Sequence, residues 1–153
     1  MRHPSTFDPK KSMVVNVCSN SDDIWSTDLS PFRLGPCRLY AGITSLNMEN
    51  AWQFAKVYEQ HQTNGEPNAA YWAWAYNGWA DPTACRYPMG RGAKPSFSLW
   101  EGVKLGYIEA RKQIYALLYA EAVQKTAGFK HLKELETRVE NLEKILVNHV
   151  YED

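Results

Sequence analysis

The sequence predicts a single α+β domain, mainly helical, with a short β-hairpin or small sheet near its N-terminus. Three observations carry this. β-Branched residues cluster at Met13-Val14-Val15-Asn16-Val17-Cys18, the composition of a strand. Met48, Ala51, Trp52 and Ala55 recur at i, i+3, i+4 and i+7, the apolar face of a helix. The stretch after Ser98 holds two further runs at helical spacing. A chain of 153 residues fits one domain and buries roughly two thirds of its unfolded surface without staples.

In order, residues 1–12 read as a flexible polar arm, and residues 13–153 as the domain. Ser19 to Asp23 is loop chemistry, and Leu29 to Pro36 is a turn bounded by prolines. Arg38 to Ala41 reads as a second short strand, pairing with the first. Asn47 is the expected N-cap of the next helix. Gln62 to Pro67 breaks that helix, and a shorter one spans Asn68 to Asn77 and stops at Gly78, with a strand as the alternative because Trp72, Trp74 and Tyr76 also alternate. Ser98-Leu99-Trp100-Glu101 matches a capping box that opens a long helix through Ile108, Ile114, Leu117 and Leu118 to about Thr126, with Gly128 as its stop. Gly102 and Gly106 on that helix would form a smooth patch. Leu132, Leu135, Val139, Leu142 and Leu146 then mark an amphipathic helix over about 129–149. Fewer than three heptads favour packing on its own domain, with a homodimer seam as the alternative.

Composition narrows the function classes. The formal net charge is zero, so the chain lacks the global field that draws a protein to nucleic acid or to an anionic membrane. No run of about eighteen apolar residues and no basic-then-apolar leader is visible, the pattern expected of a cytoplasmic protein. Cys18, Cys37 and Cys85 are odd in number and form no CxxC pair, so free and mostly buried thiols are expected. His3, His61, His131 and His149 are scattered without metal-ligand spacing, so neither metal nor cofactor is assigned. Walker A, Rossmann and nucleophile-elbow patterns are missing.

Two features carry chemistry. Glu49, Gln53 and Lys56 share one polar edge of the predicted helix, which places Glu49 and Lys56 roughly 10 Å apart along its axis. A carboxylate in a helix's first turn stays ionised, as a general base or a stabiliser of a cationic sugar requires. The second feature is the loop Met89-Gly90-Arg91-Gly92-Ala93-Lys94-Pro95. Gly90 and Gly92 let backbone N–H groups converge on an anion, while Arg91 and Lys94 supply charge just before a capped helix whose dipole favours phosphate. The aromatic stretch from Tyr71 to Trp79 reads as core, with Trp52 and Trp72 as rings able to stack a base.

These residues resemble a known family. Glu49-x6-Lys56, Met89-Gly90-Arg91-x2-Lys94-Pro95-x4-Trp100-Glu101-x-Val103-Lys104 and the upstream Ser30-Pro31-Phe32 are similar to the NADAR, or YbiA-like, family from about Val14 to Lys125. The resemblance implies a small α+β, largely helical domain linked to NAD and ADP-ribose metabolism. It implies an N-glycosidase, acting on a ribosylated pyrimidine of riboflavin synthesis or on ADP-ribosylated guanine. Glu49 would then be the catalytic acid/base, Lys56 and Lys94 ligands of the ribose phosphate or a Schiff-base amine, and Trp100 a wall of the pocket. The expected partner is a small nucleotide, with ADP-ribosylated nucleic acid as the alternative, and no membrane. Where family members end in an acidic and aromatic segment, this sequence has Val150-Tyr151-Glu152-Asp153. Two readings from other classes stand beside this one: a noncatalytic ADP-ribose or NAD binder, and an interaction protein using the 129–149 helix.

Overall fold

A computed structural model describes residues 28–138. The 1–12 arm, the Met13–Cys18 strand, Cys18 itself and the last helix beyond residue 138 lie outside the described residues. The architecture is mixed α+β, with small antiparallel sheets among the helices.

The turn at residues 28–33 leads into a hairpin of β1 (Cys37–Arg38) and β2 (Thr44–Ser45). Arg38 is in a strand as expected, but Leu39, Tyr40 and Ala41 are not. Backbone bonds from Leu39 to Ile43 and from Ile43 to Tyr40 close the chain on itself there.

Helix α1 (Met48–Gln53) starts where expected, because the Asn47 side chain accepts from the Asn50 N–H at 2.8 Å. It is shorter than its apolar spacing suggests. It ends at Phe54, and Lys56 begins strand β3 (Lys56–Val57). The helix breaks before Gln62, and residues 62–67 form a hairpin of β4 (Gln62–Thr63) and β5 (Glu66–Pro67) instead. Asn64-Gly65 is a sequence signal for that turn, and both residues take the positive φ that a two-residue hairpin needs.

Helix α2 (Ala69–Ala80) is capped by Asn68, whose side chain accepts from the Tyr71 N–H. Gly78 does not stop it. A Cβ on Gly78 would lie 2.1 Å from the Phe54 ring, so glycine here makes room for a neighbour. The helix runs on to Ala80.

The largest departure is at Ser98. Residues Phe97–Trp100 form strand β6, the centre of a three-stranded sheet between β3 and β7 (Val103–Leu105). Lys56 pairs with Ser98, Leu99 with Lys104 and Trp100 with Val103. The Ser-x-x-Glu match fails because Glu101 and Gly102 are the positive-φ pair of a tight hairpin. Phe97 and Leu99 pack with Val57 and Phe54, and Leu99 N–H bonds to the Ala55 carbonyl at 2.8 Å. Pairing with distant β3 overrides the local motif. Gly102 thus sits in a turn and Gly106 is an N-cap, so the expected helical smooth patch does not form.

Helix α3 (Tyr107–Ala110) passes through a π-helical turn, Arg111–Tyr115, into α4 (Ala116–Gln124). Ala110, Ile114 and Leu118 are its buried face, whereas Ile108 and Leu117 are exposed, contrary to the expected apolar series. The helix stops at Lys125. Thr126 then caps helix α5 (127–138) by accepting from the Phe129 N–H at 3.0 Å, so Gly128 lies inside α5 rather than ending α4.

Two apolar clusters flank α1. Met48, Ala51, Trp52 and Ala55 pack with Leu105, Ala110, Ile114 and Leu118. Phe54 and Val57 pack with Tyr71, Ala75, Trp79 and Leu99. All six residues of α1 are buried, including Glu49, Asn50 and Gln53. A helix enclosed on every side normally carries no carboxylate, because an ion loses its hydration there.

Candidate functional site

The first-turn N–H groups of α1 are already taken. Met48 N–H bonds to the Leu34 carbonyl and Glu49 N–H to the Pro31 carbonyl, at 2.8 and 3.0 Å. The Ser30-Pro31-Phe32 segment therefore closes the helix start, with the Ser30 hydroxyl accepting from the Phe32 N–H. Glu49 is left 6% exposed.

Its carboxylate is held by a relay. Gln53 Nε2 donates to Glu49 Oε1 at 2.9 Å, and Lys56 Nζ donates to Gln53 Oε1 at 3.0 Å. The amide can satisfy both neighbours only with its nitrogen toward the acid and its oxygen toward the amine. Glu49 and Lys56 are thereby linked, as the seven-residue spacing suggested, but by the chain folding back into β3 rather than along one helix edge. Glu49 Oε2 accepts no hydrogen bond from another described residue.

Burial raises the Glu49 pKa above the usual carboxylate value, opposed by the Gln53 hydrogen bond and by the charges of Lys56 and Arg86. Burial lowers that of Lys56, with Glu49 acting against the shift and Arg111 adding to it. Each group is moved toward neutrality, the direction that suits an acid/base residue or a nucleophilic amine.

Around this pair stand Trp52, expected as a stacking ring, and two residues the sequence did not point to, Arg111 and Tyr115. Lys56 Nζ lies 5.1 Å from the Trp52 ring centre, and the Arg111 guanidinium carbon lies 5.8 Å from the same ring. Arg111 also covers Tyr115 at 4.4 Å, and Tyr115 meets Trp52 edge-on at 5.3 Å. Burial raises the Tyr115 pKa, and the Glu49 charge raises it further. Arg111 and Tyr115 are the first and last residues of the π-turn, a local geometry frequent at functional sites. Their i, i+4 spacing was legible as a cation and ring pair, but nothing local tied it to Glu49.

Arg86 is placed by Asn50. The fully buried Asn50 amide donates to the carbonyls of Gly78, Asp81 and Thr83 at 3.0, 3.3 and 2.9 Å and accepts from the Cys85 N–H at 2.8 Å. This pins residues 78–85 to α1 and brings the next residue, Arg86, within reach of the Glu49 charge.

The other predicted residues sit differently. Trp52 is 5% exposed, with Lys56 and Arg111 both against its ring, which leaves little open face for a base. Trp72 is half-buried between Tyr71 and Tyr76 on α2, and Trp100 packs edge-on to Tyr40 at 4.9 Å. Gly90 and Gly92 turn an exposed loop in which Arg91 lies 5.2 Å from the Tyr87 ring. Lys94 is exposed and hydrogen-bonded to no other described residue. The loop runs into β6, so the expected joint grip on phosphate by loop and helix N-terminus is not made.

Cys37 is buried, with its thiol pushed up to about 11 chiefly by desolvation, and it is free, as is the half-buried Cys85. A thiol in that state is a poor nucleophile. Among the described residues no three His, Cys, Asp or Glu side chains gather to hold a metal, and no helix is long and apolar enough to cross a membrane. A cleft of about 530 Å³ opens elsewhere, lined by Arg33, Arg38, Lys125 and Thr126 among others, and includes none of the predicted site residues. In comparisons with known proteins, the chain matches no family model, no curated protein and no solved structure.

Proposed function

We propose that the protein is an N-glycosidase of the NADAR kind, cleaving the base from a phosphoribosyl or ADP-ribosyl compound at the Glu49 site. The observation that carries this reading is the relay from Glu49 and Gln53, on a fully buried helix, to the half-buried Lys56 at the start of β3. Burying a carboxylate and an amine costs free energy that apolar residues at the same positions would not. Such groups are a mark of chemistry.

In the reaction, the bond between C1 of the sugar and the base nitrogen breaks, and its electron pair leaves with the base. The ring oxygen shares the positive charge on C1, and ionised Glu49 steadies it. Water then adds to C1, its proton passing to Glu49 and on to the departed nitrogen, so that free base and a sugar hydroxyl result. The lowered pKa of Lys56 supports a second route, in which its neutral amine attacks C1 and the base leaves with the electron pair of the C1–N bond, taking up the amine's proton. The ring opens to an imine, and water then hydrolyses the imine to free the amine and the sugar. The balanced charge of the chain favours a free nucleotide over a duplex, which calls for a broader basic face.

The test is incubation with ADP-ribose, NAD, ribosylaminopyrimidine phosphates and ADP-ribosylated guanine, with mass spectrometry for free base. Release of base by the wild type and its loss in Glu49→Gln is the expected result. Binding without any release would instead identify a noncatalytic binder. Borohydride trapping distinguishes the routes: a sugar adduct on Lys56 marks the imine, and a clean protein under turnover marks water attack.

A further inference from the structure

We propose that Arg111, on the π-turn, is the anion-binding residue of this site, gripping a substrate phosphate together with Lys56 above the Trp52 ring. The inference deepens the reading above and rests on it for where the substrate binds. It transfers the phosphate grip from the glycine-rich loop to a helix.

The geometry comes first. Lys56 Nζ and the Arg111 guanidinium share one indole, at 5.1 and 5.8 Å from its centre. Two like charges over one ring repel unless something negative lies between or beside them. The nearby carboxylate does not serve both. Glu49 Oε1 is bonded to Gln53, and Arg111 forms neither a hydrogen bond nor an ion pair with another described residue. Its five donors are uncommitted, and its guanidinium carbon lies over the Tyr115 ring, 4.4 Å from the ring centre. A guanidinium with its donors open suits two phosphate oxygens at once.

Charge balance points to the same ligand. Lys56 and Arg86 act on the Glu49 carboxylate and Arg111 acts on Lys56, so three cations gather around one carboxylate although the chain as a whole is neutral. A phosphate monoester or pyrophosphate restores the balance, whereas a bare nucleoside does not. The π-turn is the device that brings this about. It aims Arg111 and Tyr115 together at Trp52, while Ala110, Ile114 and Leu118 stay in the core. Arg91 and Lys94 lie in an exposed loop without comparable support.

The experiment is calorimetric binding of ADP-ribose, ribose 5-phosphate and adenosine to the full chain and to Arg111→Gln, Arg111→Lys and Lys94→Ala. Arg111 is exposed, so its variants should fold, and circular dichroism checks that. Arg111→Gln should weaken both phosphorylated ligands at least ten-fold and adenosine less than two-fold, with Arg111→Lys between, and Lys94→Ala should stay within two-fold. As an independent readout, Lys56 should titrate higher in Arg111→Gln when followed by NMR, because a neighbouring cation has been removed. Unchanged binding of the phosphorylated ligands, equal weakening of all three ligands, or no binding of phosphorylated ligands by the wild type would each overturn the proposal. If the wild type releases base but Arg111→Gln keeps its KM, this inference fails and the glycosidase stands. If Arg111-dependent binding occurs without base release, the anion site stands and the glycosidase fails.

Discussion

Replacing Asn50 with alanine removes a side chain that is fully buried and tied to four backbone groups of a distant loop. The carbonyls of Asp81 and Thr83 lie in an exposed turn, where water replaces the lost donor at little cost. The Gly78 carbonyl and the Cys85 N–H are less accessible. Leaving a buried polar group unpaired costs about 1–3 kcal/mol; the Gly78 carbonyl still accepts from the Asp81 N–H, so the Cys85 N–H alone puts the loss at roughly 1–3 kcal/mol. For a chain of this size each kcal/mol moves Tm by about 2–4 °C, which predicts a fall of roughly 2–12 °C. Urea and thermal unfolding followed by tryptophan fluorescence measure it directly. The loosened loop also frees Arg86, so Glu49 should titrate higher in folded Asn50→Ala. A destabilisation below about 0.5 kcal/mol, or an unmoved Glu49, would refute the idea that Asn50 clamps this loop to the site.

Glu49 links stability to pH in a direction that can be checked. Its folded pKa is raised, so the native state holds the proton more tightly than the unfolded chain does. The contribution is complete below the unfolded carboxylate value and is lost as pH rises through the folded one. Relative to Glu49→Gln, the wild type should therefore lose stability between acid and neutral pH, while base release, needing the ionised form, rises over the same interval; parallel curves for the two proteins would remove Glu49 from both roles. Gly78→Ala should destabilise by about 1–3 kcal/mol in a melting experiment, because the new methyl meets the Phe54 ring and overpacking outweighs the better helix propensity of alanine. A stabilised variant would show that the ring moves aside freely.

What was legible in the sequence was local. Asn47 beside Met48, Ala51 and Trp52 announces a capped helix because the cap and the N–H that donates to it lie three residues apart. The start of α2 at Asn68 follows the same rule. Glu49 and Lys56 were legible as a pair because their spacing survives even though the helix ends between them. Ser98 to Glu101 was not legible, since a capping box and a hairpin strand use the same letters and only pairing with β3 and β7 decides. The phase of the long helix was misread for a related reason. A π-turn leaves Ile114 and Leu118 buried with Ala110 and puts Leu117 in solvent, and no residue within it advertises the change.

The sequence by itself determined the starts of α1 and α2, the mixed α+β class and the carboxylate and amine at the centre, because hydrogen-bonded caps and short spacings act over a few residues. Tertiary structure decided that this helix is enclosed on all sides, which is what shifts Glu49 and Lys56 toward neutrality. It also decided which cations join them: Arg86 through the Asn50 clamp and Arg111 through the π-turn, rather than Arg91 and Lys94. The physical reason is that desolvation and Coulomb attraction depend on distance in space, and separation along the chain does not fix that distance.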